Sequence, residues 1–82
     1  MKKLLKFHAE WCGPCKMMAP IVEEFKEKSG IEVESIDVDS QFELAQKYDV
    51  QSVPTLIRVD NGEETARIVG FSPYGKIEEL ME

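Results

Sequence analysis

Two cysteines separated by a glycine and a proline are the residues of this 82-residue chain best suited to chemistry. They are its only cysteines, and they stand in the stretch Trp11-Cys12-Gly13-Pro14-Cys15-Lys16. A first thiol can attack a disulfide, and a second thiol nearby can then displace it from the mixed disulfide that results. The spacing of Cys12 and Cys15 therefore indicates dithiol–disulfide exchange.

The cysteines follow a short apolar segment and precede a long amphipathic one, so we expect them at the start of a helix. The first amides of a helix lack intrahelical acceptors, and the helix dipole leaves positive charge there. A thiolate is stabilised at such a position, so we expect the pKa of Cys12 to lie below the value of about 8.5 of a free cysteine. We also expect Cys12 to be exposed and Cys15 to be better buried, with Cα atoms roughly 5–6 Å apart.

The hydrophobic pattern predicts four strands and three helices. The strands cover residues 2–7, 31–38, 53–59 and 64–69, and the Asn61-Gly62 pair predicts a tight hairpin between the last two. The first helix covers residues 14–29 and ends at Gly30. A short helix begins at 39–40, with Ser40 and Glu43 at the spacing of a capping box, and the last begins at 72–73.

The buried side of the first helix follows from residues that recur at helical spacing. These are Met17, Met18, Ile21, Val22 and Phe25. Pro14 is tolerated in the first turn, where its missing N–H would have had no acceptor, and Pro20 is expected to kink the helix. Met17, Met18 and Met81 are interpreted as core residues without a functional role.

The element order βαβαββα predicts an α/β fold with a four-stranded mixed sheet flanked by three helices. The first crossover makes two strands parallel, and the hairpin adds an antiparallel pair at the other edge. Helices then lie on both faces of the sheet. Eighty-two residues are enough for one small core, so we expect a single domain over residues 1–82.

The formal net charge of −6 argues against binding to nucleic acid or to an anionic membrane. The N-terminal apolar run is short and is interrupted by Lys6, which argues against a signal peptide. No stretch is long and apolar enough to cross a membrane. A lone cysteine pair in a reducing compartment is more often redox-active than structural, and we expect a cytoplasmic protein.

Several motifs along the chain resemble those of the thioredoxin family. Residues 9–17 and the pair Ala19-Pro20 match the active-site segment of that family at almost every residue. Val53-Pro54-Thr55 matches the loop opposite the cysteines, where the family has a cis proline. Asn61-Gly62 and Gly70 fall at its hairpin and substrate-groove positions. The resemblance covers nearly the whole chain and implies a thioredoxin fold.

The resemblance also implies a function as a protein-disulfide reductase. Cys12 would be the attacking thiolate, and Cys15 would resolve the mixed disulfide and leave a Cys12–Cys15 disulfide. A shallow substrate groove would be formed by Trp11, Gly13, Pro14, Val53, Pro54 and Gly70. Oxidised proteins would be the substrates, and a flavin- and NADPH-dependent thioredoxin reductase would be the electron donor. The chain itself would bind no cofactor or metal, and we expect a monomer.

The chain departs from the family pattern in its N-terminal elements and at three residue positions. The usual N-terminal strand and helix are missing before the strand that leads to the cysteines, which gives a compact, glutaredoxin-like outline. Lys6 stands where the family has a buried aspartate, and His8 stands where it has an aromatic residue. The lysine usually found on the next strand corresponds to Ser35. Lys6, His8 and Lys16 are therefore candidate modulators of the cysteine pKa values, and we hypothesise that Lys6 favours a thiolate.

Alternative roles for the cysteine pair are a structural disulfide, half of a zinc site, and a docking module. A bridge that closes so small a loop constrains little of the unfolded chain. Zinc needs four ligands, and the chain supplies only one histidine besides the cysteines. A glutaredoxin-like role toward low-molecular-weight thiols is the first alternative function, and a non-enzymatic binding module that uses the same groove is the second.

Overall fold

The computed structural model describes residues 1–82, and the predicted order of elements is confirmed. The four strands are β1 (Lys2–His8), β2 (Glu32–Asp37), β3 (Thr55–Asp60) and β4 (Glu63–Val69). The three helices are α1 (Gly13–Ser29), α2 (Phe42–Lys47) and α3 (Tyr74–Met81). The element types agree with the sequence pattern, and the differences lie at their ends.

The strands form one mixed sheet, as predicted, and their order is β2-β1-β3-β4. β1 is parallel to β2 and antiparallel to β3, and β3 is antiparallel to β4. β1 is therefore a central strand with neighbours on both sides. Since the segment after β1 carries the cysteines, they lie at one end of the sheet.

Each face of the sheet is covered by helix, and the side chains of β1 alternate between the two resulting cores. Leu4 packs with buried residues of α1 and α3. Leu5 and Phe7 point to the opposite face and pack with Ile36 and with Ala45 of α2. Lys6, on the same face as Leu4, therefore lies on the side of the sheet that α1 covers.

Helix α1 is fixed at both ends by features that the sequence predicts. Cys12 is the residue before its first turn, and Pro14 lies in that turn. Gly30 ends the helix with φ of 71°, and its N–H donates to the carbonyl oxygen of Lys26 at 3.0 Å. Glycine adopts this left-handed backbone conformation at little cost in free energy.

The hairpin between β3 and β4 turns at Asn61-Gly62, as predicted. Asn61 has φ of 53° and Gly62 has φ of 87°. Two successive positive φ values are typical of the tight turn that matches the twist of paired strands. The register shifts between Arg58 and Val59, which marks a bulge in the ladder.

The predicted capping box at α2 was wrong. The helix begins at Phe42, after Gln41, and no side chain caps its first turn. Ser40 is instead part of a turn in which the Asp37 carboxylate accepts the N–H groups of Asp39, at 2.8 Å, and of Ser40, at 3.4 Å. An aspartate that bonds the backbone two residues on competes with helix initiation, so the helix starts later.

The first and last helices differ from prediction in smaller ways. Met17 is 66% exposed, whereas Met18, Val22 and Phe25 form the buried stripe of α1. The buried stripe of α1 is thus narrower than the sequence predicts, and Met17 is not a core residue. Helix α3 begins at Tyr74 rather than 72–73, because the backbone of Pro73 is extended, with ψ of 168°, and Pro73 is the N-cap. The N–H of the buried Ser72 donates to the Met18 sulfur, 3.3 Å away.

Candidate active site

Cys12 and Cys15 form a disulfide where β1 leads into α1, and their Cα atoms are 5.3 Å apart, as predicted. The backbone N–H of Cys15 donates to the Cys12 sulfur at 3.2 Å. This N–H belongs to the first turn of α1 and so has no intrahelical acceptor. The Cys12 sulfur thus occupies the position of a capping side chain, where a negative charge is stabilised by both the N–H and the helix dipole.

The two cysteines are almost equally buried, which corrects the expectation that Cys12 is exposed. Cys12 is 4% exposed and Cys15 is 6% exposed. Both pack on Ala9, with Val38 and Val53 against the same small cluster. The loop before α1 folds back through a bond from the Cys12 N–H to the Ala9 carbonyl oxygen, at 3.2 Å, which draws Cys12 inward.

A different residue of the same loop is exposed. Trp11 keeps 70% of its surface in contact with solvent, as predicted. Its indole N–H donates to the Asp39 carboxylate at 2.9 Å, so the ring is held in one orientation. Beside it is a small cleft of about 100 Å³, whose other lining residues are Val38, Val50, Gln51, Ser52 and Val53.

The segment before β3 forms the opposite wall of the predicted groove. The Val53–Pro54 peptide bond is cis, as the family resemblance implies. Pro54 is buried, and its carbonyl oxygen accepts the N–H of Gly70 at 2.8 Å. Val53 packs on the cysteine cluster, but its own N–H and carbonyl form no backbone hydrogen bond within the chain. The groove therefore offers one free donor and one free acceptor beside the disulfide.

Exposed apolar residues next to Gly70 were missed by the sequence analysis. Val69 is 61% exposed and Phe71 is 46% exposed. Both flank the glycine that is bonded to Pro54, so they extend the apolar surface on that side of the groove. The signal in the sequence is a large apolar residue on each side of a groove glycine, at the end of a strand whose other residues are mostly polar.

A second cleft opens on another side of the cysteines. Its volume is about 540 Å³, and its lining residues are Lys6, His8, Ala9, Glu10, Cys15, Lys16 and Ala19. The three basic residues predicted to influence the thiols are therefore brought together. Cys15 lines this cleft and Cys12 does not, so the two cysteines differ in their surroundings.

Lys6 is half-buried in this cleft, and its pKa lies below the ordinary value of 10.5 because burial disfavours the ammonium form. The carboxylate of Glu23 partly opposes that shift. On the sheet, Lys6 is in register with Ser35 of β2 and Leu56 of β3. Neither neighbour carries a charge, so the sheet supplies no counterion.

The structure contains no group of three or more His, Cys, Asp or Glu side chains arranged to hold a metal ion. None of its helices has the length and apolar character needed to span a membrane.

Comparison with known proteins places the whole chain in one family. The family model described as Thioredoxin matches residues 1–82. A thioredoxin of Bacillus subtilis is 45% identical over 80 residues, which are 95% of this chain and 77% of that relative.

Solved structures agree with the sequence match. A mutant thioredoxin from Halobacterium salinarum superposes with a TM-score of 0.94 at 40% identity, over 99% of this chain and 72% of that one. A reduced thioredoxin from Schistosoma mansoni superposes with a TM-score of 0.93 at 39% identity, over 98% of this chain and 75% of that one.

Proposed function

Since the chain belongs to the thioredoxin family and is a protein-disulfide reductase, we propose that Cys12 is its attacking thiol and Cys15 its resolving thiol. The observation that carries this assignment is the hydrogen bond from the Cys15 N–H to the Cys12 sulfur, at 3.2 Å. When the disulfide is reduced, this donor and the helix N-terminus stabilise a thiolate on Cys12. Cys15 has no equivalent donor.

The first step is the attack of the Cys12 thiolate on one sulfur of a substrate disulfide. A bond forms between Cys12 and that sulfur, the substrate S–S bond breaks, and the other substrate sulfur leaves as a thiolate that takes up a proton. The product is a mixed disulfide between Cys12 and the substrate.

The second step releases the substrate. Cys15 loses its proton and attacks the Cys12 sulfur, and the bond between Cys12 and the substrate breaks. The Cys12–Cys15 disulfide forms, and two electrons have passed to the substrate, which leaves as a thiol. The Cα–Cα distance of 5.3 Å lies within the range that disulfides span, so the resolving step needs little movement of the backbone.

Protein substrates fit the groove better than small disulfides do, because the groove offers backbone groups as well as apolar surface. The free N–H and carbonyl of Val53 can pair with an extended peptide as a neighbouring strand would. Trp11, Gly13 and Pro14 are exposed on one side of Cys12, and Gly70 is held against Pro54 on the other. This arrangement supports the proposal that these residues line the substrate groove.

The dithiol is restored by an electron donor, which we propose to be a flavoprotein reductase that uses NADPH. The chain needs no bound cofactor for its own half of the cycle, because the two cysteines hold both electrons. The family match supports the donor class, and we propose further that the protein acts as a monomer in the cytoplasm.

Reduction of insulin by dithiothreitol tests the assignment, since the rate with and without the protein measures catalysis. We expect the wild type to accelerate the reaction and Cys12→Ser to be inactive. We expect Cys15→Ser, reduced beforehand and incubated with insulin after dithiothreitol is removed, to accumulate a mixed disulfide visible on a non-reducing gel. Replacing dithiothreitol by glutathione tests the glutaredoxin-like alternative, for which the rate would be retained.

Two results would contradict the proposal. Accumulation of the mixed disulfide by Cys12→Ser instead would reverse the roles of the two thiols. A partner that binds equally well to the wild type, Cys12→Ser and Cys15→Ser, with no acceleration of insulin reduction, would favour the non-enzymatic binding module.

A further inference from the structure

Lys6 is a half-buried cation for which the chain supplies no bonded counterion. Its amine forms neither an ion pair nor a hydrogen bond, whereas Lys3 on the opposite face of β1 pairs with Glu34 at 2.6 Å and with Glu32 at 3.5 Å. Partial desolvation of an ammonium without a partner is unfavourable, and such groups are enriched at functional sites. The mechanism described above does not use this amine.

Lys6 shares a cleft with only one of the two cysteines. Lys6 and Cys15 line the same cleft of about 540 Å³, and Cys12 is not part of its wall. Cys12 already has the Cys15 N–H and the start of α1 to stabilise its charge. Cys15, whose sulfur accepts no such hydrogen bond, is therefore the cysteine that shares the cleft with Lys6.

We propose that Lys6 is a positioning residue for the resolving step, whose ammonium group stabilises the thiolate of Cys15 across the cleft that they share. This inference rests on the proposed assignment of Cys15 as the resolving thiol. In the mixed disulfide, Cys15 must lose its proton to solvent before its sulfur can attack Cys12. The anion formed there gives Lys6 the counterion that it lacks in the oxidised protein.

The other charges near the cleft do not supply the same effect. Two further basic residues line it, His8 at the end of β1 and Lys16 in the first turn of α1, and Lys16 is exposed to solvent. The carboxylates are Glu10 on the cleft wall, Glu23 of α1, which acts on Lys6, and Asp37 of β2, in register with His8. Asp37 is engaged by two backbone N–H groups, and Glu10 and Glu23 are exposed, so solvent screens them more than it screens Lys6.

The rates of the two exchange steps can be measured in one experiment. The reduced protein is mixed with an equimolar aromatic disulfide that releases a coloured nitrothiobenzoate thiolate at each step. Attack by Cys12 releases the first equivalent in a phase whose rate depends on protein concentration. Attack by Cys15 releases the second in a phase whose rate does not. Both phases are followed by stopped-flow absorbance from about pH 5 to about pH 9, a range that covers thiol ionisation.

For Lys6→Met we expect the second phase to slow about tenfold near neutral pH and its midpoint to rise by about one pH unit, since one unit of thiol acidity is a tenfold change in thiolate. The first phase should change less than the second. Lys6→Arg, which keeps the positive charge, should restore most of the rate. Lys26→Met removes one cation from the exposed far end of α1 and serves as the matched control, with both phases unchanged.

The outcomes separate this inference from the assignment of the thiols. Wild-type second phases in both Lys6→Met and a second neutral variant, Lys6→Gln, would overturn the role of Lys6. A first phase that is retained in Cys15→Ser and lost in Cys12→Ser would uphold the assignment at the same time. Equal slowing in Lys6→Arg and Lys6→Met, or in Lys26→Met, would also overturn it. A first phase that is retained in Cys12→Ser and lost in Cys15→Ser would instead contradict the proposed assignment itself.

Discussion

The backbone N–H of Gly70 donates a hydrogen bond of 2.8 Å to the carbonyl oxygen of Pro54. This bond joins the end of β4 to the segment that precedes β3, and so holds Gly70 and Pro54 together on the same side of the groove. Gly70 has φ of 96°, a conformation that favours glycine, and a methyl group there would meet no other atom within 4 Å. Its backbone angle, and not the space around it, makes glycine necessary.

Gly70→Ala is expected to destabilise the fold by about 1 kcal/mol and to slow the reduction of protein disulfides, because relief of backbone strain shifts the groove. Reduction of a small disulfide should change less, since it does not need the groove. Gly30→Ala is the matched control, because Gly30 has φ of 71° and equally open surroundings but ends α1 away from the cysteines. Similar losses of exchange rate in both variants would show that the effect is one of stability alone.

The free backbone groups of Val53 lead to a second prediction, about amide hydrogen exchange measured by NMR. Its N–H forms no backbone bond, so we expect it to exchange rapidly in the free protein. In a mixed disulfide between Cys15→Ser and a cysteine-containing peptide, we expect it to become protected through strand-like pairing. The N–H of Gly70, already bonded, is the internal control and should be protected in both states. Unchanged exchange at Val53 in the mixed disulfide would argue against strand-like binding.

Two neighbouring methionines give a third prediction, since they point in different directions. Met18 is fully buried and its sulfur accepts the N–H of Ser72, whereas Met17 is 66% exposed. Met18→Ala should cost roughly 2–5 kcal/mol of unfolding free energy through loss of core packing. Met17→Ala should cost less than about 0.5 kcal/mol. Urea unfolding of the two variants measures both values, and equal losses would contradict the burial described for α1.

A fourth prediction concerns stability in acid. The Glu64 carboxylate accepts two hydrogen bonds from Arg67, at 2.6 and 2.8 Å, and these bonds hold the pKa of Glu64 below its ordinary value of 4.5. Because the folded pKa is lower than the unfolded one, this contribution is fully present above about pH 4.5 and is lost as pH falls through the folded pKa.

Glu64→Gln should therefore remove part of the acid sensitivity of thermal unfolding, by a few tenths of a kcal/mol for a pair so near the surface. The adjacent Glu63→Gln is the control, since Glu63 is exposed and forms no ion pair. Identical pH profiles for the wild type and Glu64→Gln would contradict the prediction.

The sheet was predictable because its signals are local and repeat along the chain. Alternating apolar residues gave the strands, and Asn61-Gly62 gave the hairpin and hence the antiparallel edge. The position of the cysteines followed in the same way, from a strand that leads directly into a helix. The cis bond at Pro54 was predicted by resemblance to a family and not by any local pattern.

The predictions were wrong where the local structure depends on contacts that the spacing of residues does not show. The burial of Cys12 depends on a backbone bond to Ala9 and on Val53, which is distant in sequence. The start of α2 depends on Asp37, which lies in β2 and captures the turn that contains Ser40. Neither the burial of Cys12 nor the start of α2 can be predicted from residue spacing alone, because both depend on how the strands and helices pack against each other.

The orientation of Trp11 has a practical consequence. It is the only tryptophan in the chain, it stands next to Cys12, and Asp39 holds its indole ring in one place. Its emission therefore comes from a single fluorophore beside the disulfide, and a nearby disulfide quenches indole fluorescence. The fluorescence of Trp11 should therefore report the oxidation state of the cysteine pair, and it can be followed in redox buffers without attaching a dye.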